Sequence, residues 1–175
     1  MNKLEKKSSD LGKLVSMTSA VFSVELGKTL KESGILKDSL GEDVKKGLMA
    51  EGLAFFLHLV ARKAATAIKG ADQLKFLGNV IAVSIGELNA GKLNEAEEVY
   101  SFIKGRLVIY DQYSIRPSSA DAGQKGTLLW EFARVVCEKI GRPEDIWTTM
   151  AVCSLAAPLG KVLTEAKHYR LGFLG

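Results

Sequence analysis

The stretch VKKGLMAEGLAFFLHLVARKAATAI, residues Val44–Ile68, is the most informative part of this chain. Wound as a helix with 100° between successive residues, it is apolar around most of its circumference. A helix with so little polar surface must be surrounded by other helices, and this places it at the centre of a helical globule. Its broadest apolar face is formed by seven residues: Leu53, Phe56, Leu57, Val60, Ala64, Ala67 and Ile68.

One narrow polar stripe interrupts this apolar surface. Glu51, His58, Arg62 and Lys69 fall nearly on one line opposite the core face, with Phe55 beside them. The stripe is either the solvated side of the helix, which is the simpler interpretation, or a buried polar site. In a buried site, Glu51 could orient the imidazole of His58, and Arg62 could hold a carboxylate or phosphate. We therefore take Glu51, Phe55, His58 and Arg62 as candidate ligand-binding residues.

The rest of the chain is organised into helices around this one. Several further segments carry apolar residues at helical spacing, and none alternates as a strand would. Pro158 falls inside the last segment and predicts a kink, because its nitrogen cannot donate to the carbonyl of Ser154. The sequence predicts an all-α fold, a compact bundle of five or six helices. Its central helix spans about residues 44–69 and its C-terminal helix is kinked by proline.

Length and charge set the domain organisation. The chain has 175 residues, enough for one domain to bury a core without metals or disulfides. Residues 1–10 are polar and lysine-rich, which predicts a flexible basic leader before a single helical domain over 11–175. The 24 basic and 20 acidic residues are mixed along the sequence, giving a net charge of +4. This mixture disfavours a nucleic-acid partner, which would require a concentrated positive surface.

The cysteines and the apolar runs bear on location. Cys137 and Cys153 lie in apolar helical patterns without CxxC spacing, as expected of reduced core residues, so we expect a cytoplasmic protein. The longest run without a charged residue, Ile146–Gly160, spans 15 residues and contains several polar ones. Because a membrane-spanning helix needs roughly 20 mainly apolar residues, we expect no membrane span.

A metal site has limited support from spacing. Glu165 and His168 form a Glu-x-x-His pair on one helical face, and ferritin-like bundles use two such pairs with two further glutamates. Only one pair occurs here, so a metal site would have to draw on Glu51 and His58 as well. Glu165 and His168 are the candidate metal ligands, and no cofactor is identified. The nucleophile-elbow and phosphate-loop motifs are missing, which leaves enzyme status open.

The leading functional hypothesis is a non-catalytic binding or interaction module that forms a homo-oligomer. It rests on the excess apolar surface of several helices, on the apolar tail at 171–175 and on a row of small residues in the first helix. One alternative is a metal-binding protein or enzyme with a polar site around Glu51, His58 and Arg62. Another is a binder of a small apolar ligand at the Pro158 kink. The small residues of the row are Ser16, Ala20, Ser23 and Gly27.

Overall fold

The structure is a computed structural model that describes residues 3–88, 93–116 and 125–165. These ranges contain six α-helices and no β-strand, which confirms the predicted all-α bundle of five or six helices. The helices are α1 (Lys3–Glu32), α2 (Glu42–Ala67), α3 (Ala71–Leu88), α4 (Leu93–Tyr110), α5 (Leu128–Lys139) and α6 (Ile146–Glu165).

Helix α2 is the central element, and it contacts each of the other five helices. It begins at Glu42 and ends at Ala67, close to the predicted range of residues 44–69. Two acidic residues in its first turn, Glu42 and Asp43, favour the positive end of the helix dipole. The helix ends where Ile68 turns to an extended conformation and Gly70 adopts a φ of 65°, a left-handed geometry that favours glycine.

Helix α1 packs against α2, α3 and α6 at close range. A Cβ atom added at Gly12 would lie 2.8 Å from Cβ of Val83, so only glycine permits this crossing of α1 and α3. The row of small residues on α1 is used for packing within the chain. Ser23 is buried and its hydroxyl donates to the carbonyl of Lys45 at 2.9 Å, while a Cβ at Gly27 would lie 3.4 Å from Leu40.

The structure differs from the flexible leader predicted for residues 1–10, because α1 begins at Lys3. Ser8 is buried, and its hydroxyl accepts a hydrogen bond of 2.6 Å from Nδ2 of Asn79 on α3. Leu4 packs against the hydrophobic core. Helix α3 therefore supplies the contacts that hold this polar segment in helical form, and these contacts are invisible to local sequence patterns.

Aromatic side chains join α1, α2 and α5 at the centre of the bundle. Phe55 stacks on Phe132 with ring centroids 4.1 Å apart and an angle of 17° between the planes. Phe132 also packs on Phe22 at 5.2 Å, and Phe22 meets Phe56 edge to face at 6.2 Å. All four rings are buried, so this cluster fixes the relative positions of three helices.

Helix α6 contains Pro158, which lies on the exposed side of the helix. At the start of α6, Asp145 accepts hydrogen bonds from the amide of Thr148 at 3.4 Å and from its hydroxyl at 2.5 Å. Within the described ranges, α6 is the one helix long and apolar enough to cross a membrane by length and composition. The core helix of a soluble protein passes the same test, but such a helix is mostly buried. In α6, 33% of the apolar window is buried inside the bundle.

Candidate functional site

The carboxylate of Glu51 lies fully buried where α2, α4 and α5 meet. The hydroxyl of Tyr110 donates to Oε1 of Glu51 at 2.5 Å. Nε of Arg106 lies 3.0 Å from Oε1 and 3.1 Å from Oε2, and Nζ of Lys139 lies 3.7 Å from Oε2. One acidic group thus joins side chains from two other helices, and two cations compensate for its removal from water.

Burial and the adjacent Glu51 carboxylate raise the pKa of Tyr110 well above its ordinary value. The phenol therefore keeps its proton and remains a donor to Glu51. Arg106 and Lys139 both lie over the ring of Phe102, at 5.5 and 5.4 Å from its centroid. Among the described residues, the hydrogen-bond and ion-pair partners of the Glu51 carboxylate are all donors or cations, and the side chain is fully buried, so this group joins the helices.

His58 is 4% exposed and lies about two helical turns after Glu51 on α2, with its ring centroid 6.0 Å from that of Tyr110. Burial and the Arg62 guanidinium lower the pKa of His58 to about 4, although the Asp111 carboxylate acts in the opposite direction. The imidazole is therefore neutral at pH 7. Its Nε2 is buried and has no hydrogen-bond partner within the described part of the chain.

Arg62 stabilises the C-terminal end of α4. Its Nη2 donates to the carbonyl oxygens of Tyr110 at 3.3 Å, Asp111 at 3.3 Å and Tyr113 at 2.6 Å. These carbonyls lie at the negative end of the helix dipole, where a cation is favourable. The Arg62 guanidinium thus donates to the backbone of this chain, whereas the buried-site alternative has it hold a carboxylate or phosphate.

The polar stripe of α2 is covered by α4, since Glu51, His58 and Arg62 each lie against Tyr110. The stripe is therefore buried at Glu51 and His58, half-buried at Arg62 and exposed at Lys69. The described residues show no hydrogen bond between Glu51 and His58, so Glu51 does not orient the imidazole directly, as the polar-site alternative allowed. Phe55 is buried in the aromatic cluster and also meets the Tyr110 ring edge to face at 6.2 Å.

The predicted metal ligands do not assemble within the described residues. Glu165 is exposed on the last turn of α6 and forms an ion pair with Lys161 at 3.8 Å. His168 lies outside the described residues, so its part in a Glu-x-x-His pair stays a prediction. Across residues 3–88, 93–116 and 125–165, no group of three or more histidine, cysteine, aspartate or glutamate side chains could hold a metal ion.

Sequence reasoning missed Arg106 and Lys139 as partners of Glu51. A signal was present, because a glutamate inside an apolar helix needs a cation or a hydrogen-bond donor nearby. Arg106 and Tyr110 are four residues apart, so they share one face of α4 and can reach the same carboxylate. The sequence does not show which helix packs against α2 beside Glu51. Only the tertiary structure therefore shows which of the several basic residues pair with its carboxylate.

A cavity of about 360 Å³ opens between α2, α5 and α6. Most of its lining is apolar, and it lies beside Pro158, with Ala157 and Gly160 in its wall.

Comparison of this chain with protein-family models, with curated proteins and with solved structures finds no match. No family or function is therefore carried over to this chain from another protein.

Proposed function

We propose that this protein is a non-catalytic helical interaction module that self-associates through the outer faces of α1 and α6. The observation that carries the proposal is a set of seven large apolar side chains, each between 48% and 66% exposed. Helices α1 and α6 pack against each other, so these side chains lie on neighbouring elements. They are Met17, Val21 and Val24 on α1, and Ile146, Trp147, Met150 and Val162 on α6.

The spacing on α1 supports a continuous apolar surface. Met17, Val21 and Val24 are separated by four and three residues, so they lie in line on one face of the helix. Seven half-exposed side chains supply several hundred Å² of apolar area, a large share of the roughly 800 Å² per partner that a standard interface buries. Large apolar patches of this kind mark interaction sites in soluble proteins.

A second copy of the chain is the partner that these features favour. A two-fold symmetric dimer needs one self-complementary patch, and an apolar patch without strong charge meets that condition. The exposed face of α6 carries no charged side chain between Ile146 and Ala157, and Lys161 is paired with Glu165. Between Ile146 and Ala157 this face thus offers no cation to an anionic lipid, whereas interfacial helices carry lysine and arginine beside their apolar face.

A cytoplasmic location is part of the same proposal. Both cysteines are free thiols in the structure. Cys137 is buried, with its sulfur 3.4 Å from the hydroxyl of Thr149, and burial raises the pKa of both thiols. Protonated, shielded thiols of this kind support a structural role in a reducing compartment.

The test compares Trp147→Glu with a matched control, Leu74→Glu. Both positions lie in the first turn of a helix and are largely exposed, so a glutamate is compatible with either helix N-terminus. We expect light scattering after size exclusion to give a dimer mass for the wild type and for Leu74→Glu. Trp147→Glu should raise the dimer dissociation constant at least tenfold, because it places a charge in the apolar interface.

Three outcomes would overturn the proposal. A strictly monomeric wild type at tens of micromolar would show that the chain does not self-associate. If Trp147→Glu and Leu74→Glu weakened the dimer equally, the dimer interface would not lie specifically on the α6 face. Flotation of a monomeric wild type with phosphatidylcholine–phosphatidylglycerol vesicles, lost in Trp147→Glu, would reassign the face to a membrane surface.

A second candidate function is favoured by the unpartnered nitrogen of His58. His58 borders a surface groove of about 360 Å³ between α2, α3 and α4, with Arg62 and Asp111 at its polar edge. Because this nitrogen is buried, a metal or a ligand with a donor group would have to displace the side chains over it in order to bind there. Elemental analysis of the untagged protein and of His58→Ala tests the metal form. Stoichiometric metal that is lost in the variant would support it, and metal-free wild-type protein would refute it.

A further inference from the structure

The cavity between α2, α5 and α6 is built from small side chains that face large ones. A Cβ added at Gly160 would lie 2.7 Å from Cδ1 of Leu59, so α6 approaches α2 as closely as the chain allows at this point. One turn earlier on α6, Ala156 and Ala157 leave room beside Phe55 and Leu59. The resulting volume of about 360 Å³ lies within the ~300–1,000 Å³ range of small-molecule sites.

The inner end of this cavity is apolar and held in place by packing. Phe55 lines it and is stacked on Phe132 at 4.1 Å, inside the aromatic cluster of the core. Leu128 and Leu129 come from the first turn of α5, where the hydroxyl of Thr127 accepts from the amide of Trp130 at 3.3 Å. Packed helices therefore form most of the cavity wall, and Ile115, which follows α4 and is largely exposed, completes it.

The outer end of the cavity is polar but carries no net charge. Lys161, Thr164 and Glu165 line it, and Lys161 and Glu165 form an ion pair at 3.8 Å. The hydroxyl of Thr164 donates to the carbonyl of Gly160 at 3.0 Å, so its oxygen lone pairs remain able to accept. An anionic ligand would meet the Glu165 carboxylate, and a cationic ligand would meet Lys161. The rim therefore favours an uncharged molecule that donates a hydrogen bond.

We propose that this cavity binds a small uncharged apolar molecule with one hydrogen-bond donor, its apolar body against Phe55 and Leu59 and its donor on Thr164. Medium-chain alcohols have this chemistry. Their carboxylate counterparts have the same apolar body, but they lack the donor and carry a charge. The site is separate from the self-association face proposed above, because none of the seven exposed apolar side chains of that face lines it.

The test uses N-phenyl-1-naphthylamine, an uncharged apolar fluorophore with a single N–H donor, with competition by 1-octanol and by octanoate. We expect saturable binding of one probe per chain, and displacement by 1-octanol at a concentration at least tenfold below that of octanoate. Thr164→Phe fills the outer end of the cavity and should weaken probe binding at least tenfold. Thr66→Phe is the matched control, because Thr66 also bonds to a carbonyl of its own helix, at 2.8 Å, and does not line the cavity.

Circular dichroism verifies that the variants are folded, and Ala157→Phe fills the same cavity from its exposed edge if Thr164→Phe is unstable. Undiminished binding by a folded cavity-filling variant, or no binding by the wild type, would overturn the proposal. Equal competition by octanoate would overturn the uncharged ligand class. The dimer-breaking variant Trp147→Glu should bind the probe as the wild type does, and loss of binding there would place the probe at the α1–α6 face.

Discussion

Acidification tests the burial of His58 most directly. The pKa of this imidazole is 6.5 when it is free in water and about 4 in the folded protein, where it is buried beside Arg62. At a pH between these two pKa values, His58 is protonated in the unfolded chain and neutral in the folded one. The free energy of unfolding must therefore fall as the pH is lowered from 6.5 toward 4. Well above pH 6.5 the imidazole is neutral in both states, so this loss of stability is absent there.

The size of the effect follows from the two pKa values. Their separation of about 2.5 units, at 1.36 kcal/mol per unit, gives an upper limit of about 3 kcal/mol. At pH 5 the folded protein has lost about 2 kcal/mol through this group alone, since the unfolded imidazole is then almost fully protonated and the folded one is not. A domain with ordinary stability would lose a large share of its total free energy of unfolding.

Urea unfolding of the wild type and of His58→Gln, followed by circular dichroism at pH 7.5, 6, 5 and 4, measures this loss. Protein concentration is kept constant, because dimerisation would otherwise change the apparent stability. His168 and the carboxyl groups are common to both proteins, so the difference between the two curves isolates His58. We expect this difference to change by about 2 kcal/mol between pH 7.5 and 5. A difference independent of pH would refute the argument and show that the imidazole is solvated in the folded state.

Three further predictions concern the packing of the bundle and are tested by urea unfolding. Glu51→Ala leaves two cations without their buried partner and should cost about 3–5 kcal/mol, and a loss below 1 kcal/mol would contradict the role of Glu51 in joining helices. Arg62→Ala removes the donor to three carbonyls and should cost about 1–3 kcal/mol, with faster amide exchange confined to the end of α4. Gly12→Ala should cost about 1–3 kcal/mol, because the new Cβ meets Val83, whereas Gly78→Ala, with nothing within 4 Å, should stabilise by roughly 0.5–1 kcal/mol. Equal effects at the two glycines would refute the close approach of α1 and α3.

Local sequence information was sufficient for the helices because helical periodicity depends on neighbours three and four residues apart. The extent of α2 was predicted within two residues at each end, and its position at the centre followed from its apolar circumference. The start of α1 could not be predicted in this way. Lys3–Asp10 has no apolar repeat strong enough to mark a helix, and its order depends on contacts such as that between Ser8 and Asn79, 71 residues away.

The polar stripe of α2 is a feature that the sequence locates but whose contacts it does not determine. The sequence places Glu51, His58 and Arg62 on one line of α2, and this alignment holds whether water or another helix lies opposite. The tertiary structure brings α4 over that line, and each of the three side chains then meets a different group. Glu51 meets Arg106 and the hydroxyl of Tyr110, His58 lies beside the ring of Tyr110, and Arg62 meets the carbonyls at the end of α4.

The sequence by itself determined the class of fold, the central helix and the position of the polar residues along it, because these follow from short-range periodicity and from the need to remove apolar surface from water. Only the tertiary structure decided which groups face one another. It left the apolar side chains of α1 and α6 exposed and placed Ala156 and Gly160 opposite Phe55 and Leu59, where a cavity remains. Such pairings join residues far apart in the chain, and many of them are compatible with the same pattern of apolar and polar residues.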